Sequence, residues 1–129
     1  MRILLDTHAF IWWDNAPSKL ATTARSHCQS PGNTLLLSII SVWEMQIKLQ
    51  IGKMTLPAPL MDIVNNQIKA NQLELLPVAL SHISALDNLP MHHKDPFDRM
   101  LVAQAITEGI PIISADPALM QYPVTMIWR

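Results

Sequence analysis

Strands and helices alternate along this sequence of 129 residues. The alternation predicts an α/β fold of three layers, α/β/α, around a central, mostly parallel five-stranded sheet. Two observations carry that reading. Short apolar runs of strand length recur between segments with helical spacing, and the helical segments are bounded by capping residues, prolines or glycines. In addition, Asp6, Glu44, Asp95, Asp98 and Asp116, half of all the acidic side chains, fall where a strand is expected to end or a helix to begin. The carboxyl ends of the strands form the ligand crevice of an open α/β sheet, so acids delivered there by distant segments should converge.

Arg2 to Asp6 is an apolar run closing on an acid, suited to a buried central strand. His8 to Asn15 reads as the first helix. Ser18 is placed to cap a second helix through about Cys28, and Ser30-Pro31-Gly32-Asn33 is a turn cluster. Thr34 to Ser38 is the second strand. Ser41, followed three residues later by Glu44, has the spacing of a capping box and opens a helix with Val42, Met45, Ile47 and Leu49 apolar and Gly52 at its end. Pro57 and Pro59 precede a helix from about Leu60 to Ala70, and Leu73 to Val78 is a third strand. Ser81 caps a short helix ending near Asp87. After a loop from Leu89 to Lys94, Asp95-Pro96 is an N-cap with proline at the first helical position, and that helix runs to Glu108 before Gly109. Ile110 to Ser114 is the fourth strand, Asp116-Pro117 starts a turn or brief helix, and Val124 to Trp128 is an edge strand.

The length is that of one domain, residues 1–129, with no repeat, linker or low-complexity tract. Half the residues are hydrophobic and 15% are charged, which fits a compact folded domain with substantial interfaces better than a disordered or strongly solvated chain. Eight Met and four Trp strengthen the expectation of interfaces. Cys28 is the only cysteine, so no intrachain disulfide forms and a reducing cytoplasm is the expected compartment. Ile3-Leu4-Leu5 is too short for a signal-peptide core, and Leu35 to Ile40 falls far short of the roughly 20 residues of a membrane span. A formal net charge of −1 argues against a passive nucleic-acid coat. It is compatible with a metal-dependent nuclease, where cations offset the acids and Lys48, Lys53, Lys94 and Arg99 are free to meet phosphates.

Each acid also has a structural reading. Glu44 completes a capping box, Asp95 caps a helix, Asp98 suits the positive end of that helix, and Asp116 before Pro117 fits a turn. Asp6 is harder to account for, because a carboxylate at the end of so apolar a strand loses water without an evident partner. The joint pattern decides: carboxylates gathered on one sheet edge repel unless a cation lies between them. The expected ligand is Mg²⁺ or Mn²⁺, bound by carboxylates and water, and phosphodiester cleavage is the chemistry such sites support.

The residues also carry a family resemblance over nearly the whole chain. Its pieces are Leu4-Leu5-Asp6-Thr7-His8 with Trp12-Trp13, Ser38 to Ser41 leading into Trp43-Glu44, and Gly52-Lys53. They continue with His93-Lys94-Asp95-Pro96-Phe97-Asp98-Arg99 running into Leu101 to Ala105, then Ser114-Ala115-Asp116 and Ile127-Trp128. The sequence resembles PIN-domain proteins, and more narrowly the VapC-like toxins of type II toxin-antitoxin pairs. The resemblance implies a Mg²⁺- or Mn²⁺-dependent endoribonuclease acting on RNA, with Asp6, Glu44, Asp98 and Asp116 as catalytic, metal-binding acids and Asp95 as an accessory. It also implies a cognate antitoxin over the acid cleft, pairing of two toxins, and a toxin-antitoxin hetero-oligomer. Ser114 matches the small hydroxyl residue two positions before the last acid, placed to hold Asp116 or a water.

Other residues are weighed individually. Arg99 either binds phosphate or pairs with an acid; Lys48 lies on a solvated helix face or steers phosphate. His92 and His93 invite a zinc reading, but with no cysteine cluster they are read as RNA-contacting or capping. His8 is read as a helix-start residue. Trp12 and Trp13 diverge by about 100° on a helix, so one is expected to meet a partner. Two rival functions stand beside the nuclease. One is a non-catalytic interaction module whose acids are only caps. The other, an α/β phosphatase with Asp6 as nucleophile, resembles haloacid-dehalogenase-like enzymes, but these want an Asp where His8 stands.

Overall fold

Five short strands, all parallel, form the sheet of the computed structural model, which describes residues 1–129. They are β1 (Arg2–Leu5), β2 (Thr34–Ser38), β3 (Glu74–Leu76), β4 (Ile112–Ile113) and β5 (Met126–Ile127), in the order β3-β2-β1-β4-β5. Six helices connect them: α1 (Thr7–Asn15), α2 (Thr22–Gln29), α3 (Ile39–Gln50), α4 (Leu60–Asn71), α5 (Leu80–Ala85) and α6 (Pro96–Glu108). The chain winds outward from β1 through β2 to β3, then returns to the other side of β1 for β4 and β5. The switch point therefore lies between β1 and β4, where ligand crevices of open sheets are found.

Burial follows the two-residue period of the strands. Ile3, Leu5, Leu35, Leu37 and Ile113 pack with Phe10, Met45, Leu60 and Val64 on the face covered by α1 to α4. Leu4, Leu36, Leu76 and Ile112 pack with Leu101, Val102 and Ala105 of α6 on the opposite face. Because both faces are covered, β1 and β2 read as continuous apolar runs rather than as alternating ones. In register, Leu5 of β1 sits beside Leu37 of β2 and Ile113 of β4.

Several local expectations are corrected. Asp6 is the N-cap of α1, its Oδ1 accepting the Ala9 N–H at 2.7 Å, so the first helix begins at Thr7. Helix α3 starts directly after β2, with Ser38 as its N-cap; the capping box between Ser41 and Glu44 does not form. Ser18 lies in a 3-10 turn (Pro17–Lys19), and α2 begins only at Thr22. At α5 the N-cap position is Ala79 rather than Ser81, and His82 Nδ1 accepts the Ala79 N–H at 2.9 Å. The last three strands are shorter than their apolar runs; Pro77 directly follows β3 and Pro111 directly precedes β4, and neither has an N–H for a ladder. Trp12 and Trp13 diverge as expected, yet both find partners within the chain: Trp12 lies 5.8 Å from Trp128 and Trp13 6.2 Å from Phe10, ring centre to ring centre. Burial pushes the Cys28 thiol up to about 11, which makes it a poor nucleophile. No helix is long and apolar enough to cross a membrane.

Candidate metal centre

Asp6 leaves β1 at the switch point, and its backbone N–H is held by the carbonyl of Ile113 in β4 at 3.0 Å. It is 8% exposed. Burial raises its pKa, the Ser114 hydroxyl, the Ala9 N–H and the charge of His8 lower it, and the charge of Asp116 raises it further. Ser114 is fully buried at the end of β4, and its Oγ accepts the Asp116 N–H at 3.0 Å. Asp116 in turn caps a 3-10 turn (Pro117–Gln121), its Oδ1 accepting the Ala118 N–H at 2.9 Å. Asp6 and Asp116 line one shallow cavity of about 340 Å³ with His8, Trp12 and Ala115. Ser114 thus holds the backbone of Asp116, and His8 reaches the rim of the cavity.

Glu44 points inward from the second turn of α3 and is 6% exposed. One of its oxygens accepts from Thr7 Oγ1 at 2.7 Å and the other from Lys48 Nζ at 2.8 Å. Thr7 has a single proton, and a carboxylate can only accept, so Ser41 donates to Thr7 across their 2.9 Å contact. Ser41 and Thr7 therefore orient Glu44 rather than cap helices. Lys48, one-third exposed, is the counter-ion of Glu44, one helical turn away.

Asp95 caps α6, its Oδ1 accepting the N–H groups of Phe97 at 2.8 Å and Asp98 at 3.2 Å. The cap holds Asp98 at the mouth of the crevice. Burial chiefly, then the charge of Asp95, pushes the Asp98 carboxyl up to about 6, and Glu44 adds to the rise while His93 opposes it. His93 Nε2 stands 2.8 Å from Asp98 Oδ2. Arg99 pairs with no acid. Its guanidinium donates to the carbonyls of Pro90 at 2.8 Å and Leu89 at 3.4 Å, and to the Tyr122 hydroxyl at 3.4 Å, so it anchors the loop before α6 and is not free for a phosphate.

The four acids thus come to one edge of the sheet as a row: Asp6 beside Asp116, Asp116 near Asp98, Asp98 within the field of Glu44. One ligand atom each from His93, Asp98 and Asp116 lies within 4.8 Å of the other two, whereas Asp6 and Glu44 stand outside that trio. A cation fits this arrangement. The donor set is rich in oxygen, as Mg²⁺ and Mn²⁺ require, and burial, with a smaller addition from neighbouring carboxylates, raises Asp6 and Asp98, where only Glu44 has a lysine. Sequence reasoning missed Thr7, Ser41 and the place of His93. The only signal for His93 was its spacing of five residues before Asp98; Thr7 beside Asp6 and Ser41 three residues before Glu44 stood out only by position, and nothing local joined them to one carboxylate.

A sequence profile of the PIN domain matches residues 3–124, nearly the entire chain. The chain belongs to the PIN domain family. This PIN domain is 27% identical to Ribonuclease VapC22 of Mycobacterium tuberculosis, over 98% of each chain. Its fold is also that of solved toxin-antitoxin structures. VapBC2 from Rickettsia felis, bound to a DNA fragment from its promoter, matches with a TM-score of 0.73 at 14% identity, over 98% of this PIN domain and 97% of that chain. VapBC-5 from Mycobacterium tuberculosis matches with a TM-score of 0.63 at 16% identity, over 99% and 98%.

Proposed function

We propose that this PIN domain is a ribonuclease, the toxin of a type II toxin-antitoxin pair, which uses Mg²⁺ or Mn²⁺ to cut RNA. The observation that carries the reading is the row of four carboxylates, Asp6, Asp116, Asp98 and Glu44, at the switch point of a parallel sheet. Similarity to a ribonuclease over the full length supports it. Asp6, Asp98 and Asp116 would hold the ion, with Glu44 at the end of the row. When bound, the ion supplies charge that offsets the phosphate and polarises its oxygens.

The chain's own residues keep the acids in place. Ala9 N–H and Ser114 fix Asp6, Thr7 and Lys48 fix Glu44, and Ala118 N–H fixes Asp116, so each carboxylate is oriented before substrate arrives. Burial raises Asp98 to about 6 in the metal-free chain, so the ion would compete with a proton for this carboxylate only at mildly acid pH.

An antitoxin partner fits the surface beside the cleft. Trp43 is 57% exposed, lies edge-on to Phe97 with ring centres 5.5 Å apart, and neighbours Glu44 in sequence as Phe97 neighbours Asp98. An exposed aromatic pair set beside two of the acids suits a protein interface there. We further propose that the 129 residues act as one domain in the cytoplasm, in toxin pairs held by the antitoxin. The test is cleavage of total RNA by the purified, antitoxin-free chain with Mn²⁺ or Mg²⁺. Cutting that EDTA and Asp98→Asn both abolish supports the reading; equal cutting by Asp98→Asn overturns it.

A further inference from the structure

One side chain in the cleft has no task in the scheme above: the imidazole of His93. It is half-buried, its Nε2 is 2.8 Å from Asp98 Oδ2, and its ligand atom lies within 4.8 Å of that of Asp116. We infer that His93 is a direct nitrogen ligand of the divalent ion, added to the carboxylates; this rests on the metal-dependent reading proposed above.

The spacing supports it. Neighbouring ligands of an octahedral ion with bonds of about 2.1 Å stand roughly 3 Å apart, and opposite ones roughly 4.2 Å. The 2.8 Å pair and the trio within 4.8 Å need little movement to meet those values. The chemistry of the contact supports it too. Asp6, Glu44 and Asp116 are held by backbone N–H groups, hydroxyls or an ammonium, none of which suits a metal while serving as donor. An imidazole is different, because the neutral tautomer with its N–H on Nδ1 offers a lone pair at Nε2.

The loop bearing His93 is also fixed. Arg99 ties down Leu89 and Pro90, His92 lies edge-on to Tyr122 with ring centres 5.2 Å apart, and Asp95 closes the segment as the cap of α6. His93 is delivered to the cleft from both ends of its loop, and Arg99, which contacts no acid, finds its role there. A nitrogen ligand among carboxylates shifts preference from Mg²⁺ toward first-row transition ions.

Pulsed electron paramagnetic resonance of Mn²⁺ bound to the full, antitoxin-free chain tests this independently of cleavage. The expected spectrum carries a coupling from one directly bound ¹⁴N. That coupling should vanish in His93→Ala and in His93→Gln, which can still hydrogen-bond Asp98, and persist in His8→Ala and His92→Ala. By calorimetry, Mn²⁺ affinity should fall roughly tenfold or more in His93→Ala, and Mg²⁺ affinity less. Bound Mn²⁺ without nitrogen coupling, or coupling that survives both His93 variants, overturns the inference and leaves the metal-dependent reading standing. Failure of the unaltered chain to bind Mn²⁺ overturns both.

Discussion

At Asp98 burial outweighs every favourable contact, and its carboxyl rises to about 6 in spite of His93. A folded-state value above the unfolded one means that the protonated form stabilises the fold. That contribution is complete below the usual carboxylate range and is lost as pH rises through about 6. Asp6 is shifted in the same direction. We expect the melting temperature of the metal-free chain to increase as pH is lowered from about 7.5 to about 5.5, and Mn²⁺ affinity to weaken over the same interval, because the ion must displace the proton. Melting curves with and without Mn²⁺ check both signs. Asp98→Asn removes the buried charge. It should raise the metal-free stability by about 1 kcal/mol, a few degrees in Tm, while cutting RNA cleavage roughly 100-fold or more.

Two helices carry the site by different means, and the difference is measurable. On α6 the cap and the charge reside in one residue, Asp95. Asp95→Asn keeps a good N-cap but loses the charge that helps raise Asp98, so the acid limb of Mn²⁺ binding should move to lower pH with little change in stability. Asp95→Ala should cost about 1 kcal/mol as well, read by denaturant unfolding. On α3 the acid is held by its neighbour a turn later. Lys48→Met leaves Glu44 buried without its ammonium and should destabilise the metal-free chain by about 1–2 kcal/mol, less than a fully buried pair because Lys48 is one-third exposed. Saturating Mn²⁺ should recover part of that loss. The Asp95 cap was legible in sequence because a cap and its helix are adjacent. The start of α3 was not: Ser38 and Ser41 both precede helical residues with acceptable spacing, and only the close join to β2 selects Ser38.

Across the whole molecule, the sheet order brings the loops after β1 and β4 together, and a bound ion would link them to α3 and α6. An ion that binds only the folded chain stabilises it by about 2.7 kcal/mol at a concentration of 100 Kd. We expect Mn²⁺ to raise Tm for the unaltered chain and to do so much less for Asp6→Asn, by differential scanning calorimetry. The five strands, the parallel α/β arrangement and the positions of Asp6, Asp95, Asp98 and Asp116 at element boundaries were readable from residue order alone, whereas Glu44, expected in the first turn of its helix, lies in the second turn of α3. Those features depend on apolar runs, turn residues and caps, all expressed within a few neighbouring positions. Only the folded chain decided which partner each side chain meets. Thr7 reaches Glu44 across 37 residues, Arg99 turns from the acids to the carbonyls of Leu89 and Pro90, and His93 turns into the cleft. Such contacts depend on how β1, α3 and α6 stack on the sheet, and side chains brought together by stacking leave no periodicity or spacing in the sequence for local reasoning to find.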